Sequence, residues 1–578
     1  MVNVGTILEF EKIFPNENYE EYLNLDQFPK QKIIDFTTFL LSFQPDDKNN
    51  LSPKNIIENW FCKENNEYAN NIYKRIIQYE KEIQQEIQII NSRTSFILLE
   101  TILQRKNENN EINTDDTDFE KLLFKTYLAF NSKATNSDNK VAKSTENLDP
   151  HLSYIAKAFT NSLAWSDILN YNFLEKFVCE FIKSALFFEF LSNYEGTNAL
   201  MRNFYSRFGI NNYGEYISRF IPLFMERAKT QGNIDIDLAS DEDAEKSKHF
   251  LENLIIGSPD ENIEEDFKLL RNKPLLKLSD NKYRIVSGLF TIEKLYRGLY
   301  FILKDCNDNL DKTSKIKNLR GLFTYDFSEK QLLYNFLERA YHKNYIKYTG
   351  EQISNSIDGG PDYYIRKGNK VFIFESKDIL IGADKKASYD FNIYQEELKK
   401  KLYFEEKENG SIKRRAIKQL IYFIKILLKN EFSLDKEYKS ASLKIYPIIV
   451  IHNNQLNNLG TNKIINYWFK NERENLNKEG YNIEKLRYIT IINIDTLILY
   501  HEMLKNRELV LENLIDDYLN YTNEFRFLNK NYLTVEQKNN KLKEIIVPFS
   551  TYVFNEKPWK MPKIFKEKGY DLKKTAKI

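Results

Sequence analysis

Gly359-Gly360-Pro361-Asp362-Tyr363-Tyr364-Ile365-Arg366-Lys367-Gly368-Asn369-Lys370-Val371-Phe372-Ile373-Phe374-Glu375-Ser376-Lys377 reads as a β-hairpin that gathers two carboxylates and an ammonium. The first arm is aromatic and β-branched, Gly368-Asn369 supplies the tight reversal, and the second arm is an unbroken apolar run of the kind found in buried strands. Side chains alternate across a strand, so Glu375 and Lys377 share a face with Val371 and Ile373, while Ser376 points the other way with Phe372 and Phe374. Asp362, on the neighbouring arm, can then face Glu375 and Lys377.

Two carboxylates at a strand end offer oxygen ligands to a hard divalent cation such as Mg2+, and an adjacent lysine can orient or deprotonate a water. Glu-x-Lys alone carries little information in a chain with Lys+Arg 84 and Asp+Glu 83. Glu405-Glu406-Lys407 and Glu536-Gln537-Lys538 also fit it, but they lie in polar stretches without a preceding apolar strand or an upstream Pro-Asp, and read as solvated helix or loop. A surface ion pair between Glu375 and Lys377 is the plainer alternative, yet such pairs contribute little and have no need of a third charge brought in by a Pro-Asp turn.

At Pro361-Asp362 and Glu375-Ser376-Lys377 the chain resembles the PD-(D/E)xK nuclease superfamily, over its C-terminal part only. The resemblance implies an α/β restriction-endonuclease-like domain with a mixed sheet, Asp362 and Glu375 as metal ligands, and Lys377 beside the attacking water. It implies Mg2+ as cofactor, with Mn2+ as a substitute, and cleavage of phosphodiester bonds, with DNA the expected substrate. Defence against invading DNA in prokaryotes follows from the same resemblance. A ribonuclease of the same fold and a non-cleaving nucleic-acid-binding scaffold are the alternatives.

Upstream, Ser328 to Tyr341 carries Leu333, Phe336, Leu337 and Ala340 at helical spacing, with Ser328 placed as an N-cap. The superfamily often carries a further acidic residue on this helix. Glu329, one turn before Leu333, is favoured over Glu338 as a third metal ligand, the alternative role being to stabilise the helix N-terminus. Downstream, Ile412 to Leu428 reads as an amphipathic helix with a basic start, on which Arg415, Gln419 and Tyr422 form one stripe. Gln419 is the candidate to face the active site or the nucleic-acid backbone, and Lys418 and Lys425 read as an ordinary solvated face.

Leu443 to His452 and Arg487 to Asp495 read as further buried strands, separated by a helix from Thr461 to about Leu476 and followed by helical segments at Leu497–Leu504 and Leu509–Tyr521. Strands alternating with helices suggest parallel strands added to the hairpin. His452 closes its strand and is assigned no chemistry.

Residues 1–315 are expected to form a mainly α-helical targeting or regulatory region, 316–525 the nuclease-like domain, and 526–578 a lysine-rich extension. The helical half reads as Lys32–Phe43, Ile72–Leu103, Leu152–Leu163, Phe173–Leu191, Met201–Phe208 and Tyr216–Ala228, then a hairpin at Pro274–Val286 and a helix at Ile292–Leu303. Asn107–Asn147 reads as polar, acidic-biased loops or linkers flanking Phe119–Phe130, and Asp235–Lys248 is similarly polar. From Lys557 on, seven lysines from Lys560 to Lys577 interleave with Trp559, Phe565 and Tyr570, a pattern that suits phosphate and base contact as well as a solvated, partly disordered tail.

A net charge of +1 argues against a uniformly basic nucleic-acid binder and leaves room for local asymmetry. There is no Gly-x-x-x-x-Gly-Lys-Ser/Thr loop. Hydrophobic content of 42% fits a globular chain, no apolar run is long enough to span a bilayer, and Met1-Val2-Asn3-Val4-Gly5 does not resemble a signal sequence. Cys62, Cys179 and Cys306 are too scattered for a zinc cluster or a disulfide framework, and a reducing cytoplasm is the expected location. The expected partners are nucleic acid and, through the helical half, a partner protein; no membrane is expected, and the sequence is silent on oligomeric state.

Overall fold

The computed structural model describes residues 6–43, 50–105, 116–169, 171–229, 232–238, 242–257, 265–342, 344–523 and 535–575. The chain is mainly helical and divides into two compact units, one of 1–139, 168–316 and 566–578, the other of 140–167 and 317–565. Among the described residues no helix is long and apolar enough to cross a membrane.

The first unit is built from helices such as Lys30–Leu40, Ser92–Gln104 and Phe173–Asn193, with two small sheets. The continuous helix expected over Ile72–Leu103 is two helices, Asn66–Ile83 and Ser92–Gln104. Gln84 takes a left-handed φ of 52° and ends the first, and the Asn91 side chain caps the second by accepting from the Thr94 amide at 2.9 Å. Between them β2 (Ile87–Gln88) pairs in parallel with β1 (Thr6–Ile7). The polar stretch at Asp235 is likewise ordered as β3 (Asp235–Asp237), the third strand of a sheet with β4 (Leu275–Ser279) and β5 (Lys282–Ile285). Arg284 accounts for that strand's carboxylate, donating to Asp235 at 2.6 and 3.0 Å in a two-pronged pair. The helix expected over Ile292–Leu303 breaks into Gly288–Glu293 and Leu299–Asp308, where the Gly298 amide turns back to the Glu293 carbonyl at 2.6 Å.

The second unit is organised by a mixed five-stranded sheet of order β12-β11-β8-β7-β6. Its strands are β6 (Ile346–Thr349), β7 (Tyr363–Lys367), β8 (Lys370–Lys377), β11 (Lys444–Ile451) and β12 (Thr490–Asn493), and a separate two-stranded ribbon is made by β9 (Phe404–Glu406) and β10 (Ile412–Arg414). The β6–β7 and β7–β8 pairs are antiparallel, whereas β8–β11 and β11–β12 are parallel, as crossover through intervening helices requires. Val371, Phe372, Ile373 and Phe374 are all at most 1% exposed, which explains why β8 reads as one apolar run. Asp435, itself buried, ties its loop to β7 by accepting from Tyr364 Oη at 2.8 Å and from Arg366 Nη2 at 2.8 Å.

Segment 140–167 belongs to this second unit. Its helix Pro150–Leu163 packs against Phe391–Leu402 and Thr461–Lys478, and the buried Asp167 faces the buried Lys386 at 3.6 Å.

Two expectations fail locally. Ser328 does not cap a helix: the helical run begins at Leu319, is wound as a π-helix over Leu322–Leu333, and continues as an α-helix over Tyr334–Ala340. Phe323 and Phe327 extend the buried stripe upstream, so nothing breaks the run at Ser328. Ile412 to Arg414 is not the start of a helix but β10, paired with β9, which also makes the Glu405-Glu406 decoy a strand; the helix proper is Ala416–Leu428. At the C-terminus, Val535–Ile545, Phe549–Glu556 and Lys563–Thr575 are helices. Lys560 pairs with Glu508 at 2.6 Å and Lys568 with Glu189 at 2.7 Å, while Lys577 and the side chains of Lys573 and Lys574 lie outside the described residues.

Candidate active site

Asp362 is delivered to the end of β8 by the backbone. Its amide donates to the Phe374 carbonyl at 3.0 Å and its carbonyl accepts from Gly350 at 2.7 Å, which fixes the residue just ahead of β7. The side chain accepts from the Ser376 amide at 2.6 Å. On β8, Glu375 is fully buried opposite Ile449 of β11, and Lys377 Nζ donates to its Oε1 at 2.5 Å. Glu375 Oε2 is buried and has no hydrogen-bond partner among the described residues.

Glu329 joins this group from the π-helix. Ser328 Oγ donates to Asp378 Oδ2 at 2.9 Å and Arg320 Nη2 donates to the Asp378 carbonyl at 2.9 Å, pinning the helix to the segment that follows β8. Tyr334 Oη donates to Glu329 Oε1 at 3.2 Å and accepts from the Gly350 amide at 3.2 Å, linking the helix to the backbone beside Asp362. Glu329 and Tyr334 are five residues apart, a spacing that π-type i to i+5 winding brings to one face. Replacing Ser328 by Ala leaves the Asp378 carboxylate short of a donor and is expected to lower stability by about 1 kcal/mol, read from the urea midpoint at unchanged slope.

The electrostatics are those of crowded carboxylates. Burial first, then the charge of Asp362, pushes Glu375 up from 4.5 to about 8 against the pull of Lys377. Glu329 rises to about 8 for the same reasons, burial and then Asp362, with Lys377 opposing and Glu375 adding. Asp362 is raised by burial, partly offset by Lys377 and the Ser376 amide. Burial works against the Lys377 ammonium, but Glu375 and Asp362 outweigh it and hold the group charged. Asp362, Glu375, Lys377 and Glu329 therefore share one electrostatic site.

Among the described residues no group of three or more His, Cys, Asp or Glu is already arranged as a metal centre. The donor chemistry nonetheless suits Mg2+. All the donors are carboxylate oxygens, the Glu375 Oε2 atom is buried without a partner, and the acids repel one another in a way that a divalent cation would relieve.

Gln419 is not brought into the cluster by any hydrogen bond. It sits half-buried on Ala416–Leu428, where its amide donates to the Arg415 carbonyl at 2.8 Å. Its neighbours on the helix are engaged: Arg415 pairs with Glu405, Lys418 with Glu472 at 2.7 Å and Lys425 with Glu479 at 2.8 Å. Glu338, the alternative to Glu329, accepts from Tyr363 Oη and Lys347 and serves the hairpin instead.

Tyr334, Ser328 and His452 were not assigned to the site by the sequence. His452 Nε2 lies 2.8 Å from Ser376 Oγ, so it contacts the residue whose amide holds Asp362. The position of His452 at the end of a strand parallel to β8 was the available signal, since parallel neighbours end side by side. Gly359, three residues before Asp362, has φ +73°, and a Cβ there would meet Arg414 Nη2 at 3.3 Å. Gly359→Ala is expected to cost about 1–2 kcal/mol, measured by urea unfolding, because the left-handed backbone disfavours any Cβ.

Comparison of the chain with protein-family models, with curated proteins and with solved structures finds no match.

Proposed function

We propose that this chain is a metal-dependent endonuclease whose second unit is a restriction-endonuclease-like domain, hydrolysing phosphodiester bonds with DNA as the expected substrate. The observation that carries this reading is the fully buried Glu375, one oxygen held by Lys377 and the other without a partner, beside Asp362 at the end of a central strand. A buried acid in that state is poorly suited to a structural role, because its burial is uncompensated on one side.

Asp362 and Glu375, with Glu329 behind them, would hold Mg2+ or Mn2+. The bound ion would supply Lewis-acid stabilisation of the phosphate and a more acidic water. The chain's own groups then have separable tasks. The Ser376 amide holds the Asp362 carboxylate in one orientation. Tyr334 does the same for Glu329, its phenol kept protonated by a pKa raised through burial and the adjacent acid charges. Lys377 stays an ammonium, fixes the direction of Glu375, and is placed to orient the attacking water or to stabilise charge that develops on phosphate oxygens.

The helical region before residue 316 is proposed to target or regulate the nuclease, and a role in defence against foreign DNA rests on the resemblance at Pro361-Asp362 and Glu375-Ser376-Lys377 together with the modular layout. The deciding experiment is a digest of plasmid, linear duplex, single-stranded DNA and RNA by the full chain with 10 mM MgCl2 or with EDTA. Magnesium-dependent cleavage of DNA supports the proposal, and cleavage confined to RNA reassigns the substrate. Binding without any cleavage, under conditions where the chain is folded, leaves a scaffold.

A further inference from the structure

We infer that Arg414, at the end of the β9–β10 ribbon, is a positioning residue that grips a backbone phosphate of the nucleic acid close to the cleavage site. This rests on reading the Asp362–Glu375–Lys377 group as a nuclease centre and adds the element that would hold the substrate against it.

Arg414 differs from the cations around it. Arg415, Lys418 and Lys425 are each matched to a carboxylate, whereas among the described residues the exposed Arg414 guanidinium has neither an ion pair nor a side-chain hydrogen bond. It is nevertheless held in place. Its guanidinium carbon lies 3.9 Å from the centroid of the Tyr422 ring, and its Nη2 abuts Gly359 closely enough that a Cβ there would approach to 3.3 Å. A guanidinium stacked on an aromatic shelf keeps its edge N–H groups free, and their fork matches two oxygens of one phosphate. Because the stack already restricts the side chain, less rotamer entropy is lost on binding.

The place matters as much as the chemistry. Gly359 precedes Asp362 by three residues, so the turn it marks lies within about 11 Å of chain from the acid cluster. Along one strand of duplex DNA the phosphates rise by about 3.4 Å each, which sets the gripped phosphate within roughly three nucleotides of the bond to be cut. Every residue of β10 is exposed, Ile412 at 59%, so Arg414 stands open to solvent at the end of the ribbon. Tyr422 stands one helical turn from Gln419, so the stripe chosen from the sequence borders this contact through Tyr422 and Arg414.

The test uses the full chain in EDTA, so that binding is read without cleavage, with a fluorescein-labelled DNA duplex and an RNA duplex of the same sequence. Anisotropy is followed from 50 to 300 mM salt for the wild type, Arg414→Gln, Arg414→Lys and Tyr422→Leu, with thermal melts to show that each variant is folded. Arg414→Gln is expected to bind DNA about tenfold more weakly at 100 mM salt and to lower the slope of log K against log salt by about 0.9, the loss of one phosphate contact. Arg414→Lys and Tyr422→Leu keep the charge and are expected to keep the slope while losing affinity a few-fold. A role confined to supporting the Gly359 turn would not move the salt slope. If the wild type binds and Arg414→Gln leaves the slope unchanged, the inference is overturned while the nuclease reading stands. If the wild type binds neither polymer at any salt, the inference is overturned, and the nuclease reading is decided separately by the magnesium-dependent digest.

Discussion

Replacing Lys377 by Met is expected to reduce magnesium-dependent cleavage on the order of 10³-fold or more, with the fold retained. Asp362→Asn is expected to do the same. The two losses have different origins. Lys377 is the ammonium that both Glu375 and Asp362 feel, and it is placed to orient a water or meet charge on the phosphate. Removing a preorganised group that acts on developing charge typically costs 10²–10³-fold by itself, and here the orientation of Glu375 goes with it. Asp362→Asn keeps the shape and can still accept from the Ser376 amide, but it removes a ligand charge and so weakens the hold on a divalent cation. The fold survives Lys377→Met because Glu375, already raised to about 8, can take up a proton and remain buried as the neutral acid. Single-turnover digestion with circular dichroism of the same samples separates the two effects, and near-wild-type cutting by either folded variant would exclude the assigned roles.

The metal-free chain should gain stability when its central acid is neutralised. Glu375→Gln is expected to be more stable than the wild type by about 2 kcal/mol at pH 9 in EDTA, with a melting temperature higher by about 2–3 °C. A carboxyl whose folded pKa lies at about 8 instead of 4.5 keeps its proton in the folded state over an interval in which the unfolded chain has already released it. Stability from this group is therefore intact below pH 4.5, declines as pH rises between 4.5 and 8, and is least above 8. Glutamine mimics the protonated acid at every pH, so the gap between variant and wild type opens across that window and vanishes at its acid end. The gap stays below the full shift because Lys377 loses its ionic partner. Magnesium should close it from the other side by stabilising the wild type alone. A pH-independent gap, or a less stable Glu375→Gln at pH 9, would show that burial of this acid carries no cost.

The core of the site was legible because strand chemistry is local. Tyr363 to Lys377 alternates, turns at Gly368-Asn369 and buries its apolar run, so Asp362, Glu375 and Lys377 could be related by pleat geometry alone. Glu329 was reached through helical spacing, but its tether was not, because a five-residue step to Tyr334 has no meaning at α-helical pitch. The strand β6 escaped notice because its four residues are all half-buried and carry no alternation. Ile412 to Arg414 looked like the first turn of the helix that follows, and only pairing with a distant polar segment makes it a strand. The membership of 140–167 in the second unit is a long-range property that no local pattern encodes.

That last feature has a bearing on how the chain is made. The helix Pro150–Leu163 leaves the ribosome before residues 168–316, yet the surfaces that bury Ile155 and Phe159, on Phe391–Leu402 and Thr461–Lys478, are synthesised after them. At about 5–20 residues per second the interval is on the order of ten seconds or longer, during which an apolar face has no native place to go. The sheet, for its part, cannot finish its packing from its own sequence, and a fragment begun at residue 316 would lack both this helix and the Asp167 that answers Lys386. Maturation of the proposed nuclease is thereby tied to translation of nearly the whole chain.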